Sequence, residues 1–230
     1  RAALARRSGR AAAPSARAAF MFRPQLTLNL HGGTRSIKIT GASFARYRAG
    51  FAHFRAPWLY NLRIPRAQEI LGELHARGER DPETLGIYAR TWMDRYQSSG
   101  DINDLKQSRD YYAQAFESAQ DDYYPGINAA AKSVFLGSEE DLRRAAKYAE
   151  QVQEIVGTAP HPEDYWKSAT VAEVMLIQKK YEEAGRLYEA AVAIARTEIG
   201  SHKSTWKQAC RLMEKLQPSP EERAHIRKPF

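Results

Sequence analysis

From Pro65 onward, apolar residues recur every three or four positions and are interrupted by helix punctuation. Ala67, Ile70, Leu71 and Leu74 form one stripe closed by Gly78, which predicts a helix over 66–77. Asp81-Pro82-Glu83 then supplies an N-cap, a first-turn proline and an acid at the positive helix end. Leu85, Tyr88, Ala89, Trp92 and Tyr96 continue the period, giving a helix over 82–98 before Gly100. The same reading gives a third helix from Asp104, a fourth from Pro125 to Gly137, and a fifth after Ser138-Glu139-Glu140-Asp141 that ends at Gly157. A sixth follows Pro162, a seventh runs from Tyr181 up to Gly200, an eighth starts at Ser204, and Ser219-Pro220-Glu221-Glu222 caps a short last one. The N-terminal third has a different texture. Leu26, Leu28 and Leu30 alternate with polar residues, and Ser36–Thr40 alternates again after His31-Gly32-Gly33, the pattern of a β-hairpin.

Helices joined by short links suggest repeats. Three of them carry a small residue, then a larger or neutral one four positions on, then a small or aliphatic one three further. These triplets are Ser108/Tyr112/Ala115, Ala145/Ala149/Val152 and Ala184/Tyr188/Ala191, and they begin 37 and 39 residues apart. Ala172, 12 before Ala184, is a small residue on the preceding helix. This is the tetratricopeptide pattern: small side chains let the second helix of a pair approach the first, and the aromatic fills the gap to the next pair. The first unit, from Gly86 to Ser108, carries about ten extra residues for its period of roughly 34. The expected fold is an all-α, tetratricopeptide-like solenoid of about eight helices, with a small basic N-terminal extension that holds the hairpin.

Several ordered motifs add a resemblance. Leu85-Gly86-Ile87-Tyr88-Ala89-Arg90, Arg109-Asp110-Tyr111-Tyr112 with Phe116, Tyr124-Pro125-Gly126-Ile127-Asn128, Asp164-Tyr165-Trp166, and Trp206 before a leucine-rich helix follow one another along the chain. In that order they resemble the TRAF-binding, tetratricopeptide-like regulatory region of apoptosis signal-regulating kinases and its prokaryotic relatives, over roughly residues 66–217. The resemblance implies a docking and regulatory module, which in the kinases binds adaptor proteins. No kinase signature is present, and residues 1–65 match no part of that family.

Charge divides the chain in the same place. Residues 1–66 hold 13 basic and no acidic residues, whereas 67–230 hold 22 basic and 27 acidic ones, a net −5. The pI near 9.6 therefore averages a basic arm with a mildly acidic body. Residues 1–19, rich in Ala, Arg and Ser, read as a disordered arm or linker. Arg-rich, acid-free composition also fits a transit peptide, though without an amphipathic stripe. Residues 20–65 read as a basic aromatic segment, 66–217 as the solenoid and 218–230 as a tail or short helix. The acid-free arm makes nucleic-acid association the alternative function. His31-Gly32-Gly33-Thr34 and Gly41-Ala42-Ser43-Phe44-Ala45 partly match an oxyanion loop and a nucleophile elbow. However, the second lacks its closing glycine and no carboxylate is near to orient a histidine, so the chain is read as non-enzymatic. The six histidines include no i, i+4 pair, the single cysteine excludes an internal disulfide and a cysteine-cluster zinc site, and no apolar run reaches membrane-spanning length. No metal, no cofactor, no membrane and a cytoplasmic location are the corresponding expectations.

A solenoid binds on the concave face made by the first helices of its pairs. Projected from the repeat register, the expected partner-binding residues are Arg90, Asn128, Lys132, Trp166, Thr170 and Glu173. Plainer readings exist for most of them: Trp166 as core, Arg90, Lys132 and Glu173 as solvated charges, and Asn128 as a brace at the start of the fourth helix. The expected partner is a protein.

Overall fold

A computed structural model of the chain describes residues 26–28, 37–39 and 57–230, with side chains from residue 64 onward. It divides into two units, residues 1–56 and 57–230. In the first, β1 (Leu26–Leu28) pairs antiparallel with β2 (Ile37–Ile39), Leu26 opposite Ile39 and Leu28 opposite Ile37. The two strands fall in the two alternating runs of the sequence. The proposed oxyanion loop and the elbow at Ser43 lie outside the described residues.

The second unit is helical throughout. Its elements are α1 (Pro57–Ala76), α2 (Pro82–Ser99), α3 (Ile102–Ser118), α4 (Tyr123–Leu136), α5 (Glu139–Val156), α6 (Tyr165–Ile177), α7 (Tyr181–Ile194), α8 (Ile199–Leu216) and α9 (Pro220–Arg227). Local chemistry sets most of these boundaries. Asp81, Asp101, Asp122, Ser138 and Asp164 each accept a backbone N–H of the first turn, and Gly100 and Gly137 close their helices in the left-handed conformation. Ser219 and Glu222 form a reciprocal capping box at α9. Four boundaries depart from the pattern. Helix α1 begins nine residues before Arg66 and runs through Pro65, which reads locally as a helix start because an interior proline forfeits a hydrogen bond. Helix α6 begins at Tyr165, with Pro162 in the preceding turn. Helix α7 stops at Ile194, and the expected stop, Gly200, lies in the first turn of α8, which begins at Ile199 and not at Ser204.

The helices pack as pairs α2–α3, α4–α5 and α6–α7. Neighbouring pairs stack through α3 on α4 and α5 on α6, α1 lies on α2, and α9 lies on α7. This is a tetratricopeptide-like helical repeat. All nine residues of the three sequence triplets are at most 2 % exposed, and they lie on the second helices α3, α5 and α7. Ser108 shows why a small residue is needed: its hydroxyl donates to the Ala89 carbonyl of α2 at 2.8 Å. At Gly126 the approach is closer still. A Cβ there would lie 2.6 Å from Val152 of α5 and 2.9 Å from Phe116 of α3.

Polar ties between helices supplement this core. Arg95 of α2 clasps the buried Asp104 of α3 through two hydrogen bonds, at 2.8 and 2.5 Å. Arg109 of α3 reaches Asp141 of α5 at 2.6 Å. Tyr165 and Thr205 share a hydrogen bond of 2.8 Å between α6 and α8.

Helix α8 determines the shape of the inner face. It packs against α4 and α6, the first helices of two earlier pairs, and α4 also touches α6. Helices α4, α6 and α8 thus share one side of the stack, and α2 is the first helix of the pair before them.

Candidate functional site

Helix α4 positions the centre of this face. Its Asp122 cap and close-packed Gly126 fix the helix against α3 and α5, and Ile127 points into the core. The next residue, Asn128, donates from Nδ2 to the Tyr124 carbonyl at 2.9 Å, while its Oδ1 accepts from Lys132 Nζ at 2.7 Å. Asn128 therefore does brace, and what it braces is Lys132. The lysine is not a solvated charge: it is 4 % exposed, with its ammonium 5.3 Å from the Tyr112 ring centre and 5.9 Å from that of Phe135. An ammonium carries three donors, and Asn128 Oδ1 is its one hydrogen-bond acceptor among the described residues.

The other charges come from three further helices. Arg90 of α2 pairs with Asp94 at 2.9 Å and is 63 % exposed on its side chain. Glu173 of α6 accepts from Gln208 of α8 at 3.0 Å. Lys132 and Glu173 interact electrostatically without closing into an ion pair, because each is held by a different amide. Burial pushes the Glu173 carboxyl up to about 7, against the opposing pull of Gln208 and Lys132. Burial likewise draws the Lys132 ammonium down to about 7. Glu173 resists this shift, and the neighbouring cations Arg90 and Arg211 reinforce it.

Lys207 and Arg211 of α8 were not among the residues expected from the sequence, and they complete the cluster. Both are held below their ordinary values, first by desolvation and then by cationic neighbours: Arg211 and Arg90 for Lys207, Arg90 for Arg211. A signal for α8 was available. Gln208 stands 35 residues after Glu173, one repeat period on, so the register extends to a fourth first-helix.

The remaining two expected residues sit nearer the start of α6. Thr170 is buried and donates to the Trp166 carbonyl at 2.8 Å, so its hydroxyl is used within its own helix. Trp166 is half-buried against Tyr165, Ala169 and Ala191 and meets the Tyr165 ring edge-on at 5.1 Å. The structure thus gathers Arg90, Asn128, Lys132 and Glu173 with Asp94, Lys207, Gln208 and Arg211. It places Thr170 and Trp166 about one and two turns back from Glu173 on α6.

The loop before α6 is held by local polar contacts. His161 contacts the Val156 carbonyl through Nε2 at 2.7 Å, and its backbone exchanges hydrogen bonds with Ser168, which fixes the loop before α6. Among the described residues, no three His, Cys, Asp or Glu side chains gather as a metal site, and no helix is long and apolar enough to cross a membrane.

Pairs of helices stacked in register, with close-packed small residues on the second helix of each, define the protein as a tetratricopeptide-like repeat module. Comparison with known families agrees. Residues 36–136, just under half of the chain, match the model of the family Tetratricopeptide Repeats-Sensor, and the match ends at the close of α4. No curated protein matches the chain.

Proposed function

We propose that this chain is a docking and regulatory module of a larger signalling protein or complex, acting in the cytoplasm and binding a partner protein on the face lined by α2, α4, α6 and α8. One observation carries the reading: four helices far apart in sequence bring Arg90, Lys132, Glu173 and Arg211 within electrostatic reach of one another. Scaffolds of stacked helical pairs bind through such surfaces, and their chemistry is recognition. The resemblance to the regulatory region of apoptosis signal-regulating kinases supports a signalling context, with an adaptor protein as the kind of partner. The word "sensor" in the matched family's description is consistent with a regulatory role.

The test is affinity capture from the source cell's lysate with the full chain and nuclease treatment, comparing Arg90→Ala and Trp166→Ala with Arg144→Ala on α5. The reading expects a discrete protein that survives nuclease, is lost with the first two variants and is retained by the third. Capture that vanishes with nuclease and ignores all three substitutions would transfer the function to the basic arm and to nucleic acid.

A further inference from the structure

Helix α1 is seated on a floor that does not match it. The floor is aromatic: Tyr88 and Trp92 of α2 and Tyr111 of α3 form one cluster, with ring centres 4.4 Å apart for Tyr88 and Tyr111 and 5.8 Å for Tyr88 and Trp92. Helix α1 meets it at Gly72, where a Cβ would lie 3.1 Å from the Tyr88 hydroxyl oxygen, and at His75, whose ring stands edge-on to Tyr111 at 5.1 Å. One turn before Gly72, Arg95 of α2 spans the interface, donating to Gln68 Oε1 at 3.3 Å with its guanidinium 4.3 Å from the Trp92 ring centre. Six buried side-chain atoms lack a hydrogen-bond partner among the described residues, and three of them gather here: Gln68 Nε2, His75 Nε2 and Trp92 Nε1. Each loses its hydrogen bond to water when α1 closes and regains it when α1 opens.

Little apolar burial offsets this loss. Every helix from α2 to α9 contributes a buried side chain to the main apolar core, and α1 contributes none among its described residues. Leu71 is its one fully buried apolar side chain there, with Ala67, Ile70 and Leu74 half-buried. The helix is also weak by itself, since Pro65 removes an interior hydrogen bond and Gly72 raises the backbone entropy lost on forming it. The helix at the opposite end is the contrast. Although α9 has 8 residues and α1 has 20, α9 starts with a reciprocal capping box and buries Ile226 completely. Its His225 carbonyl oxygen lies so near α7 that a Cβ on Gly185 would be 2.6 Å away, and Phe230 beyond it meets the rings of Tyr188 and Trp206 at 5.4 and 5.3 Å.

We infer that α1 is a releasable lid, which lifts from α2 and α3 as one piece while α2 to α9 stay folded, and so uncovers the aromatic floor of Tyr88, Trp92 and Tyr111. Opening returns three polar atoms to water and gives up one fully buried leucine, whereas release of any other helix breaks the shared core. The inference does not rest on the docking reading. It adds a gate over a second surface, built from rings where the face of α4, α6 and α8 is built from charges.

Native-state amide hydrogen exchange of the full chain, read by mass spectrometry at pH 7, tests it. Peptides from residues 66–76 should be less protected than those from α4 and α6 by about a hundredfold or more, and less protected than those from α9. Fraying governed by helix length and end position predicts the reverse order for the two terminal helices, with the shorter α9 opening first. The double variant Gln68→Met with His75→Phe keeps the size of both side chains and the two bonds of Arg95 to Asp104, and removes two of the three unpaired atoms. It should raise the protection of α1 by about tenfold or more and leave α4, α6 and α9 unchanged. If the double variant fails to fold, His75→Phe alone, whose ring keeps its place against Tyr111, should raise α1 protection several-fold. Protection of α1 equal to that of α4 and α6 overturns the proposal. So does opening of α9 before α1, or a variant that folds and leaves the exchange of α1 as in wild type.

Discussion

Two helical glycines, both within motifs that carry the family resemblance, should respond to alanine with opposite sign. At Gly126 the added Cβ would sit 2.6 Å from Val152 Cγ2 and 2.9 and 3.0 Å from two carbons of the Phe116 ring, where carbon pairs prefer about 3.5–4.0 Å. Those neighbours belong to α5 and α3 on either side of α4 and are themselves buried, so α4 has no direction in which to retreat. Overpacking of this kind costs about 3 kcal/mol at the upper end of its usual range. Helix propensity returns about 1 kcal/mol, since alanine loses less backbone entropy than glycine. Gly126→Ala should therefore destabilise by about 2 kcal/mol, a fall in Tm of about 4–8 °C for a chain of this size. At Gly86, in α2, the added Cβ meets nothing within 4 Å, so only the propensity gain of about 0.5–1 kcal/mol remains and Tm should rise by about 1–4 °C. Thermal unfolding followed by circular dichroism at 222 nm, with urea titration as a check, measures both. A Gly126→Ala protein as stable as wild type would show that α3, α4 and α5 are not packed as closely as described.

Further outcomes follow from individual contacts. Asp104→Ala leaves Arg95 without its clasp across the α2–α3 pair and should cost about 1–3 kcal/mol by urea unfolding, whereas a variant within 0.5 kcal/mol of wild type would mean the pair adds nothing. The Tyr188 hydroxyl is fully buried with no hydrogen-bond partner among the described residues, so Tyr188→Phe should leave the unfolding free energy unchanged or raise it by up to about 1 kcal/mol; a clear loss would reveal an unseen partner. For Glu173, burial raises the folded-state value from 4.5 to about 7, so the native state holds a proton more tightly than the unfolded chain does. Its contribution is fully present below about pH 4.5 and is lost as pH rises toward 7. The stability of wild type relative to Glu173→Gln should consequently decline from pH 5 to pH 7 in urea titrations, and a flat or rising difference would contradict the burial of this carboxyl.

Much of the helical unit was legible in the chain because its determinants are local. Capping aspartates, Ser138 and the closing glycines at 100 and 137 act within a turn of where they stand, and so mark the edges of α2 to α5 directly. The three triplets were legible for a related reason. A repeat must bury the same face each time, so Ser108, Ala145 and Ala184 recur wherever a second helix closes on a first. On α4, register alone placed Asn128 and Lys132 on one face. It could not show that Asn128 holds the lysine in place or that Lys132 is buried, because burial depends on α3 and α8 covering it.

The turn between α7 and α8 marks where local information ended. From Tyr181 to Gly200 the chain contains no proline and no glycine at the break, and the sequence favours a helix continuing past Ile194. The chain turns instead at 195–198, with Glu198 N–H bonding the Ala195 carbonyl, and α8 lies back against α4 and α6. That return brings Gln208 to Glu173 and Arg211 to Lys132, with Lys207 beside Arg211. Helix type and repeat register are fixed by interactions within one turn or one pair, which the sequence carries. The charge cluster is fixed by where the last long helix finds buried surface, a property of the assembled stack and of no segment alone.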